Sequence, residues 1–183
     1  MEKTLYLVRH CKATGQAPEA PLTSEGVEQA ERLVRFFRGR EISSLISSPF
    51  VRAVQSIEPL AKELKVSVEI DERLAERVLS NEDLPDWLER LEESFQKLDL
   101  KLAGGESGVE AMERGAAVLE TAPNHCVLVT HGNMMGLLLK QIDISFGFKE
   151  WMKLSNPDVY EVKIKDGNRT INRLWQEDSD GKM

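Results

Sequence analysis

Residues 5–11 of the chain read Leu-Tyr-Leu-Val-Arg-His-Cys, an apolar run that ends in Arg9 and His10. A short β-branched and aromatic run bounded by polar residues predicts a strand. Arg9 and His10 therefore lie where this strand gives way to a loop. In parallel α/β sheets, ligands bind at that carboxyl end of the strands. The run thus indicates both an α/β fold and a binding site.

The same layout occurs again far downstream. Residues 126–129 are apolar, and Thr130, His131 and Gly132 follow them. Two of the chain's three histidines therefore stand at the ends of predicted strands. Histidine can act as a nucleophile and as a positive hydrogen-bond donor near neutral pH. One such histidine is more often a solvated or capping residue, but two of them favour catalysis.

The bulk properties bound the class of protein. A length of 183 residues fits one domain, and a net charge of −7 argues against a nucleic-acid partner. No apolar stretch approaches the roughly 20 residues that span a membrane, and the N-terminal residues do not resemble a signal peptide. The two cysteines, Cys11 and Cys126, do not form a disulfide framework, so we expect a reduced cytoplasmic protein without a membrane partner.

Strand and helix patterns alternate, which predicts an α/β fold, a three-layer α/β/α sandwich with a mostly parallel sheet. We expect one domain over 1–175, with a charged helical insertion over about 71–102 that presents an apolar stripe to the sheet. An acidic tail, 176–183, is expected to be disordered. The stripe consists of Trp87, Leu88, Leu91, Phe95 and Leu98. The other predicted strands are 43–48, 66–70, 159–164 and 170–175, and the other predicted helices are 24–38, 50–64, 107–119 and 134–141.

Two further charged residues follow predicted strands. Arg52 falls in the first turn of a helix after the second strand, and Glu76 follows the third. A guanidinium binds phosphate through a fork of N–H donors, and a helix N-terminus also suits phosphate. Standing alone, Arg52 would be an exposed helical residue and Glu76 a salt-bridged surface residue. Together with the two strand-end histidines, they predict a cationic pocket with one acid.

At this point the sequence resembles the histidine phosphatase superfamily, which has the phosphoglycerate mutase-like fold. The resemblance covers about residues 3–175, and its motifs occur in the family's order. They are Leu7-Val8-Arg9-His10, Ser47-Ser48-Pro49 with Arg52-Ala53, Arg73-Leu74-Ala75-Glu76, Gly104-Gly105-Glu106-Ser107 and Val129-Thr130-His131-Gly132.

The resemblance implies a role for each site residue. His10 resembles the nucleophile that becomes phosphohistidine, and Arg9, Arg52 and His131, with Gly132, resemble the phosphate-binding group. Glu76 resembles the general acid. No metal and no cofactor are implied, because protein cations stabilise the phosphoryl group.

Two positions after the nucleophile depart from the family. Cys11 stands where glycine is usual, and Lys12 stands where an acidic residue is frequent. We expect Cys11 to crowd the loop or to make the site oxidisable, and Lys12 to add positive charge at the pocket mouth. A cysteine-dependent phosphatase is excluded because its phosphate-binding arginine would fall at Ala17. The spacings of cysteine and histidine form no zinc motif, and no P-loop motif is present.

The sequence thus favours a metal-independent phosphatase that hydrolyses a phosphomonoester through phosphohistidine. Its substrate would be a small phosphorylated metabolite or a phosphoprotein. A phosphoglycerate mutase, which uses the same residues, and a non-catalytic phosphate-binding or phosphoprotein-binding module remain as alternatives. The physiological substrate and the oligomeric state are not indicated.

Overall fold

The computed structural model describes residues 1–176, which form a six-stranded sheet with helices on both faces. The strands are β1 (Glu2–Arg9), β2 (Ser44–Ser47), β3 (Val68–Ile70), β4 (Cys126–Thr130), β5 (Asp158–Lys165) and β6 (Asn168–Arg173). Their order is β3-β2-β4-β1-β5-β6. Strands β1 to β4 pair in parallel, whereas β5 and β6 pair antiparallel at one side. The predicted mostly parallel sandwich is confirmed, and the last two strands make its sheet mixed.

The helices divide between the two faces of the sheet. One face is covered by α1 (Ser24–Phe37) and α2 (Val51–Leu64). The other carries α3 (Trp87–Gln96), α4 (Gly108–Thr121), α5 (Gly132–Ile142) and α6 (Phe148–Met152). Two separate apolar clusters result, one on each side of the sheet.

Strand β1 shows why both clusters form. Leu5 and Leu7 are fully buried on the side of α4 and α5, while Tyr6 and Val8 are buried on the side of α1 and α2. Successive side chains of a strand point to opposite faces, so a continuous apolar run suits a central strand with both faces covered. This central position places Arg9 and His10 in the middle of the sheet's carboxyl edge.

Short-range interactions mark the starts of two helices and the turn of the last hairpin. The hydroxyl of Thr23 accepts a hydrogen bond from the Gly26 N–H at 2.9 Å and begins α1. Ser107 forms a capping box with Glu110 at the start of α4. In the hairpin between β5 and β6, Asp166 and Gly167 both have positive φ, 51° and 81°, as a two-residue type I′ turn requires.

The predicted helical insertion over 71–102 is largely wrong. Only residues 72–74, as a short 3₁₀ turn, and α3 are helical there. Pro85, which lacks an N–H, and neighbouring turn-forming residues favour irregular backbone over 75–86. The stripe is also shorter than predicted, since Trp87 and Leu88 remain 52% and 40% exposed. Their exposure follows from their place in the first turn of α3, beyond the cluster that buries Leu91 and Phe95.

The C-terminal part of the chain contains one helix that the sequence pattern does not indicate. Helix α6 was not predicted, because five residues are too few to show a helical period. The predicted disordered tail lies outside the described residues, except for Gln176. Among residues 1–176, none of the helices has both the length and the apolar character needed to cross a bilayer.

Candidate active site

The parallel strands bring the predicted site residues to one edge of the sheet. The N–H of His10 donates to the Thr130 carbonyl at 3.1 Å, and the N–H of Ser48 donates to the Val129 carbonyl at 2.9 Å. These bonds continue the β1–β4 and β2–β4 ladders past the last strand residues. The residues that follow β1, β2 and β4 are therefore held side by side.

His10 is oriented by hydrogen bonds to its ring and to its backbone. Its Nδ1 lies 2.7 Å from the Cys11 carbonyl oxygen, and its own carbonyl accepts from Nδ2 of Asn156 at 3.0 Å. A carbonyl can only accept, so Nδ1 carries the proton and Nε2 keeps its lone pair. Burial lowers the pKa of His10 to about 4, with Arg52 and Arg9 acting in the same direction. The imidazole is thus neutral at physiological pH.

His131 stands beside His10, with ring centroids 5.1 Å apart. Its Nε2 lies 2.8 Å from the Ser48 hydroxyl, while its buried Nδ1 has no partner within residues 1–176. Burial holds the pKa of His131 well below its usual value, and the neighbouring His10 and arginines add to this effect. The ring of Phe50 packs on its other side, 4.8 Å between centroids.

Arg52 is buried, only 1% exposed, so the alternative of an exposed helical residue is wrong. Its Nε donates to His10 Nε2 at 3.2 Å. Its Nη1 donates to the carbonyls of Gln16 and Ala17 at 3.1 and 2.9 Å. One guanidinium therefore joins the loop after β1 to the reactive nitrogen of His10.

Arg9 lies against the start of α5. Its Nη1 donates to the Leu154 carbonyl at 3.2 Å, and its Nε is buried without a partner in the part of the chain described. A Cβ at Gly132 would lie 2.9 Å from Cζ of Arg9, closer than side chains tolerate. Glycine is therefore required at 132 for the guanidinium to keep this place.

The Glu76 carboxylate is bonded to three backbone N–H groups. Oε1 accepts from Arg77 at 2.7 Å and from Met134 at 2.8 Å, and Oε2 accepts from Asn133 at 3.0 Å. Burial raises the pKa of Glu76, against the opposing effect of these N–H groups and of Arg9. Burial and these N–H groups therefore act on the pKa of Glu76 in opposite directions, and burial has the larger effect.

The loop that carries Glu76 is held by side chains from distant elements. The Thr130 hydroxyl donates to the Leu74 carbonyl at 2.7 Å. Arg114 of α4 donates from Nη1 to the carbonyls of Arg73 and Ala75 at 2.7 and 2.8 Å. These contacts fix the backbone on the N-terminal side of Glu76.

The structure places all five predicted catalytic residues, and Gly132, at one site. Sequence reasoning missed Ser48, Asn156 and Arg114. Ser48 lies within the Ser47-Ser48-Pro49 motif and could have been suspected from it. Neither Asn156 nor Arg114 stands at a strand end, and no local pattern marks them.

A cleft of about 650 Å³ leads from Arg9, Glu76 and Gly132 to the surface. The segment between Glu76 and α3 forms one wall, and Trp151 of α6 contributes to the lining. Within residues 1–176, no group of three or more His, Cys, Asp or Glu side chains is arranged to hold a metal ion. The charged groups at the bottom of the cleft are those of the protein itself.

The comparison with protein families decides the assignment. A family model described as the histidine phosphatase superfamily (branch 1) matches residues 5–177. The chain belongs to this superfamily. The resemblance seen in the sequence motifs is thereby confirmed.

Relatives in the superfamily differ in their named activities. A protein named probable phosphoglycerate mutase GpmB, from Proteus mirabilis strain HI4320, is 32% identical over 96% of this chain and 86% of its own length. A mycobacterial glucosyl-3-phosphoglycerate phosphatase has a similar structure, with 19% identity, a TM-score of 0.75 and coverage of 95% of this chain and 99% of that one. A phosphoglycerate mutase from Bacillus anthracis strain Sterne gives 19% identity and a TM-score of 0.74, over 94% and 92% of the two chains. At such identities the structural likeness shows the fold.

At both departures from the superfamily pattern, the side chain does not line the cleft. Cys11 is fully buried in the cluster beneath α1 and α2, where burial raises the pKa of its thiol to about 12. The expectation of an oxidisable site is therefore not supported by its surroundings. Lys12 is exposed and pairs with Glu25 at 2.9 Å, and it does not line the cleft. The prediction that Lys12 adds positive charge at the pocket mouth is wrong, because its ammonium group is turned towards Glu25 of α1.

Proposed function

We propose that the chain hydrolyses phosphate monoesters through a phosphoryl group carried on Nε2 of His10. The observation that supports this most directly is the hydrogen bond from His10 Nδ1–H to the Cys11 carbonyl. It sets the tautomer and leaves the lone pair on Nε2, which accepts the Arg52 Nε–H at 3.2 Å until a phosphoryl group takes that N–H. A neutral imidazole held in this way is a nucleophile, and the guanidinium groups of Arg9 and Arg52 suit a phosphate.

In the first step, Nε2 of His10 forms a bond to phosphorus and the bond to the leaving oxygen breaks. The guanidinium groups of Arg9 and Arg52 balance the charge on the phosphoryl oxygens, and Nδ1 of His131 is free to contact one of them. Protonated Glu76 gives its proton to the leaving alcohol. In the second step, ionised Glu76 removes a proton from water, which attacks phosphorus and releases His10 and inorganic phosphate.

The mutase alternative uses the same residues and returns the phosphoryl group to a bound glycerate. The name of the Proteus mirabilis relative favours it. The cleft favours hydrolysis, since its wall between Glu76 and α3 is a segment with little helix, and Glu82 and Asp83 of that wall are exposed to solvent. A mutase must keep water away from its phosphohistidine, which such a wall does poorly.

The proposal is tested by trapping the intermediate. Brief mixing of the wild-type protein with para-nitrophenyl phosphate should give an acid-labile, base-stable phosphoenzyme. The His10→Asn protein should show neither phosphoenzyme nor turnover. His125→Asn is the matched control, because His125 is remote from the site and its φ of 61° is one that asparagine accepts. Normal turnover by the His10→Asn protein would overturn the proposal.

A second assay separates the alternatives. With 3-phosphoglycerate and a trace of 2,3-bisphosphoglycerate, a phosphatase releases inorganic phosphate as the main product. Rapid equilibration to 2-phosphoglycerate with little free phosphate would instead establish a mutase. A non-catalytic module would bind phosphate esters and release nothing.

We place the reaction in the cytoplasm, where the two buried free thiols, Cys11 and Cys126, stay reduced.

A further inference from the structure

The cleft is larger than a phosphoryl group needs, and its outer part has a composition of its own. Arg9, Glu76 and Gly132 lie at the bottom, where the phosphoryl group would bind. The remaining volume of the 650 Å³ cleft must therefore take the alcohol part of the ester. Its outer lining contains five apolar side chains, Leu79, Leu84, Trp87, Leu91 and Trp151, and three charged ones, Arg77, Glu82 and Asp83.

The outer lining is largely apolar and contains two indole rings. Trp87 is 52% exposed, which leaves a large apolar face open to water. Trp151 is held by stacking on Phe148, with centroids 5.5 Å apart and an interplanar angle of 20°. An aromatic or otherwise apolar alcohol would cover such surfaces, whereas a small polar one would leave them wet.

Two polar atoms of residues that line the cleft are buried without partners within residues 1–176. They are Nε1 of Trp151, a donor, and Oδ1 of Asn133, an acceptor, and both residues line the cleft. A buried polar atom without a partner is costly and often marks a place that a ligand completes. A bound alcohol would reach either atom only after a local side-chain shift.

The charge of the outer lining is negative. Glu82 and Asp83 are exposed, and neither forms an ion pair within the described part of the chain. The cationic side chains of the lining are Arg9, at the bottom, and Arg77, which is bound to Ser94 and to the Glu106 carbonyl. A carboxylate on the alcohol would therefore be repelled at the rim, and an ammonium group would be attracted.

We propose that the substrate is the phosphate ester of an alcohol with an apolar, preferably aromatic, body and a positively charged amine at its far end. The proposal rests on the proposed function and names its substrate class. The phosphoryl group would lie on Arg9, the aromatic body between Trp87 and Trp151, and the amine beside Glu82 and Asp83. Carboxylated esters such as 3-phosphoglycerate fit this arrangement poorly.

Three aryl phosphates with similar leaving groups test the charge. They are the esters of tyramine, para-ethylphenol and para-hydroxyphenylpropionate, whose far ends are positive, neutral and negative. In low salt, kcat/KM should fall in that order, with about tenfold or more between the first and the last. A propionate ester that is hydrolysed as well as the tyramine ester would overturn the proposal.

Variants connect this preference to the rim. The double variant Glu82→Gln, Asp83→Asn should reduce the ratio of tyramine to propionate ester to within about twofold. The matched control, Glu28→Gln with Glu31→Gln, removes two exposed charges from α1 and should keep the wild-type ratio. Trp87→Ala should raise KM for the aryl esters more than for phosphoethanolamine, and Trp87→Phe should restore it. A ratio unaltered by the rim variant would contradict the proposal.

A binding measurement distinguishes this inference from the proposed function. If the wild-type protein released no phosphate from any ester, including para-nitrophenyl phosphate, the proposed function would fail. Calorimetric titration of the His10→Asn protein with the same three esters would still rank their affinities. Tighter binding of the tyramine ester would uphold the inference about the cleft, and equal or reversed affinities would refute it.

Discussion

The carboxylate of Glu76 lies at the N-terminus of α5, where its Oε1 accepts the backbone N–H of Met134 at 2.8 Å. The positive end of this helix therefore faces the carboxylate, whose oxygens accept the N–H groups of Asn133 and Met134. The helix stabilises the carboxylate while burial favours the carboxylic acid. Such opposing effects suit the general-acid role that we propose for Glu76.

Replacing Glu76 by glutamine should slow esters with poor leaving groups far more than para-nitrophenyl phosphate. The amide cannot protonate the departing alkoxide, and nitrophenolate needs little protonation. We expect a loss of about 100-fold for an alkyl phosphate and only a few-fold for the nitrophenyl ester. The control is Glu72→Gln, since Glu72 is exposed four positions earlier. Equal losses on both ester types would remove Glu76 from the acid role.

His10 should titrate near pH 4 rather than near the 6.5 of an unperturbed histidine, because burial disfavours its charged form. Nitrogen-15 NMR of the imidazole rings can follow this directly, since the chain has only three histidines. The spectra should also show the proton on Nδ1 between pH 5 and 8. A midpoint near 6.5, or a proton on Nε2, would contradict the tautomer on which the mechanism depends.

The same shift predicts how stability depends on pH. The pKa of His10 is lower in the folded than in the unfolded chain, so between about pH 4 and 6.5 the unfolded chain binds more protons. This contribution to stability is present above pH 6.5 and is lost as the pH falls towards 4, to a total of about 3 kcal/mol. Urea unfolding of the His10→Asn protein should show a correspondingly weaker loss over this range than the wild type.

Gly132→Ala should impair activity more than stability. The new Cβ would lie 2.9 Å from Cζ of Arg9, and the guanidinium must shift by a few tenths of an ångström. We expect about a tenfold loss in kcat/KM with little change in Tm. Gly115→Ala provides the opposite case, because its Cβ would meet Leu138 Cδ2 in the core, away from the site. That variant should lose about 1–3 kcal/mol of stability and keep its activity per folded molecule.

Arg52→Lys should cost about 100-fold in kcat, as the loss of a preorganised positive donor does elsewhere. A single ammonium cannot reach His10 while also holding the two loop carbonyls that the guanidinium binds. Arg38→Lys, at an exposed ion pair with Glu63, is the control and should be neutral.

EDTA should leave the wild-type rate unchanged. Recovery of a chelated sample on addition of magnesium or zinc would show that a metal is needed after all.

Much of this site could be predicted because its main residues follow strands directly. Arg9, His10 and His131 each adjoin an apolar run, and parallel strands carry their ends to a common edge. The capping box at Ser107 is also a purely local signal. Features of this kind depend on a few neighbouring residues, and they can therefore be predicted from the sequence.

Other features depend on contacts between distant parts of the chain. Arg114 binds the carbonyl of Arg73, 41 residues away, and Asn156 binds that of His10, 146 residues away. No local pattern carries such pairings. The exposure of Trp87 was missed for a related reason, since helical spacing predicts a stripe but not where the supporting core ends.

The guanidinium of Arg52 binds main-chain atoms of the loop after β1, the carbonyl oxygens of Gln16 and Ala17. Every amino acid supplies that oxygen, so the identities of the side chains at these positions are free of the anchoring task. Gln16 also lines the cleft. An exchange of the cleft-lining side chain at position 16 would therefore leave the hydrogen bonds from Arg52 in place, so the shape of the cleft can change there without disturbing the surroundings of His10.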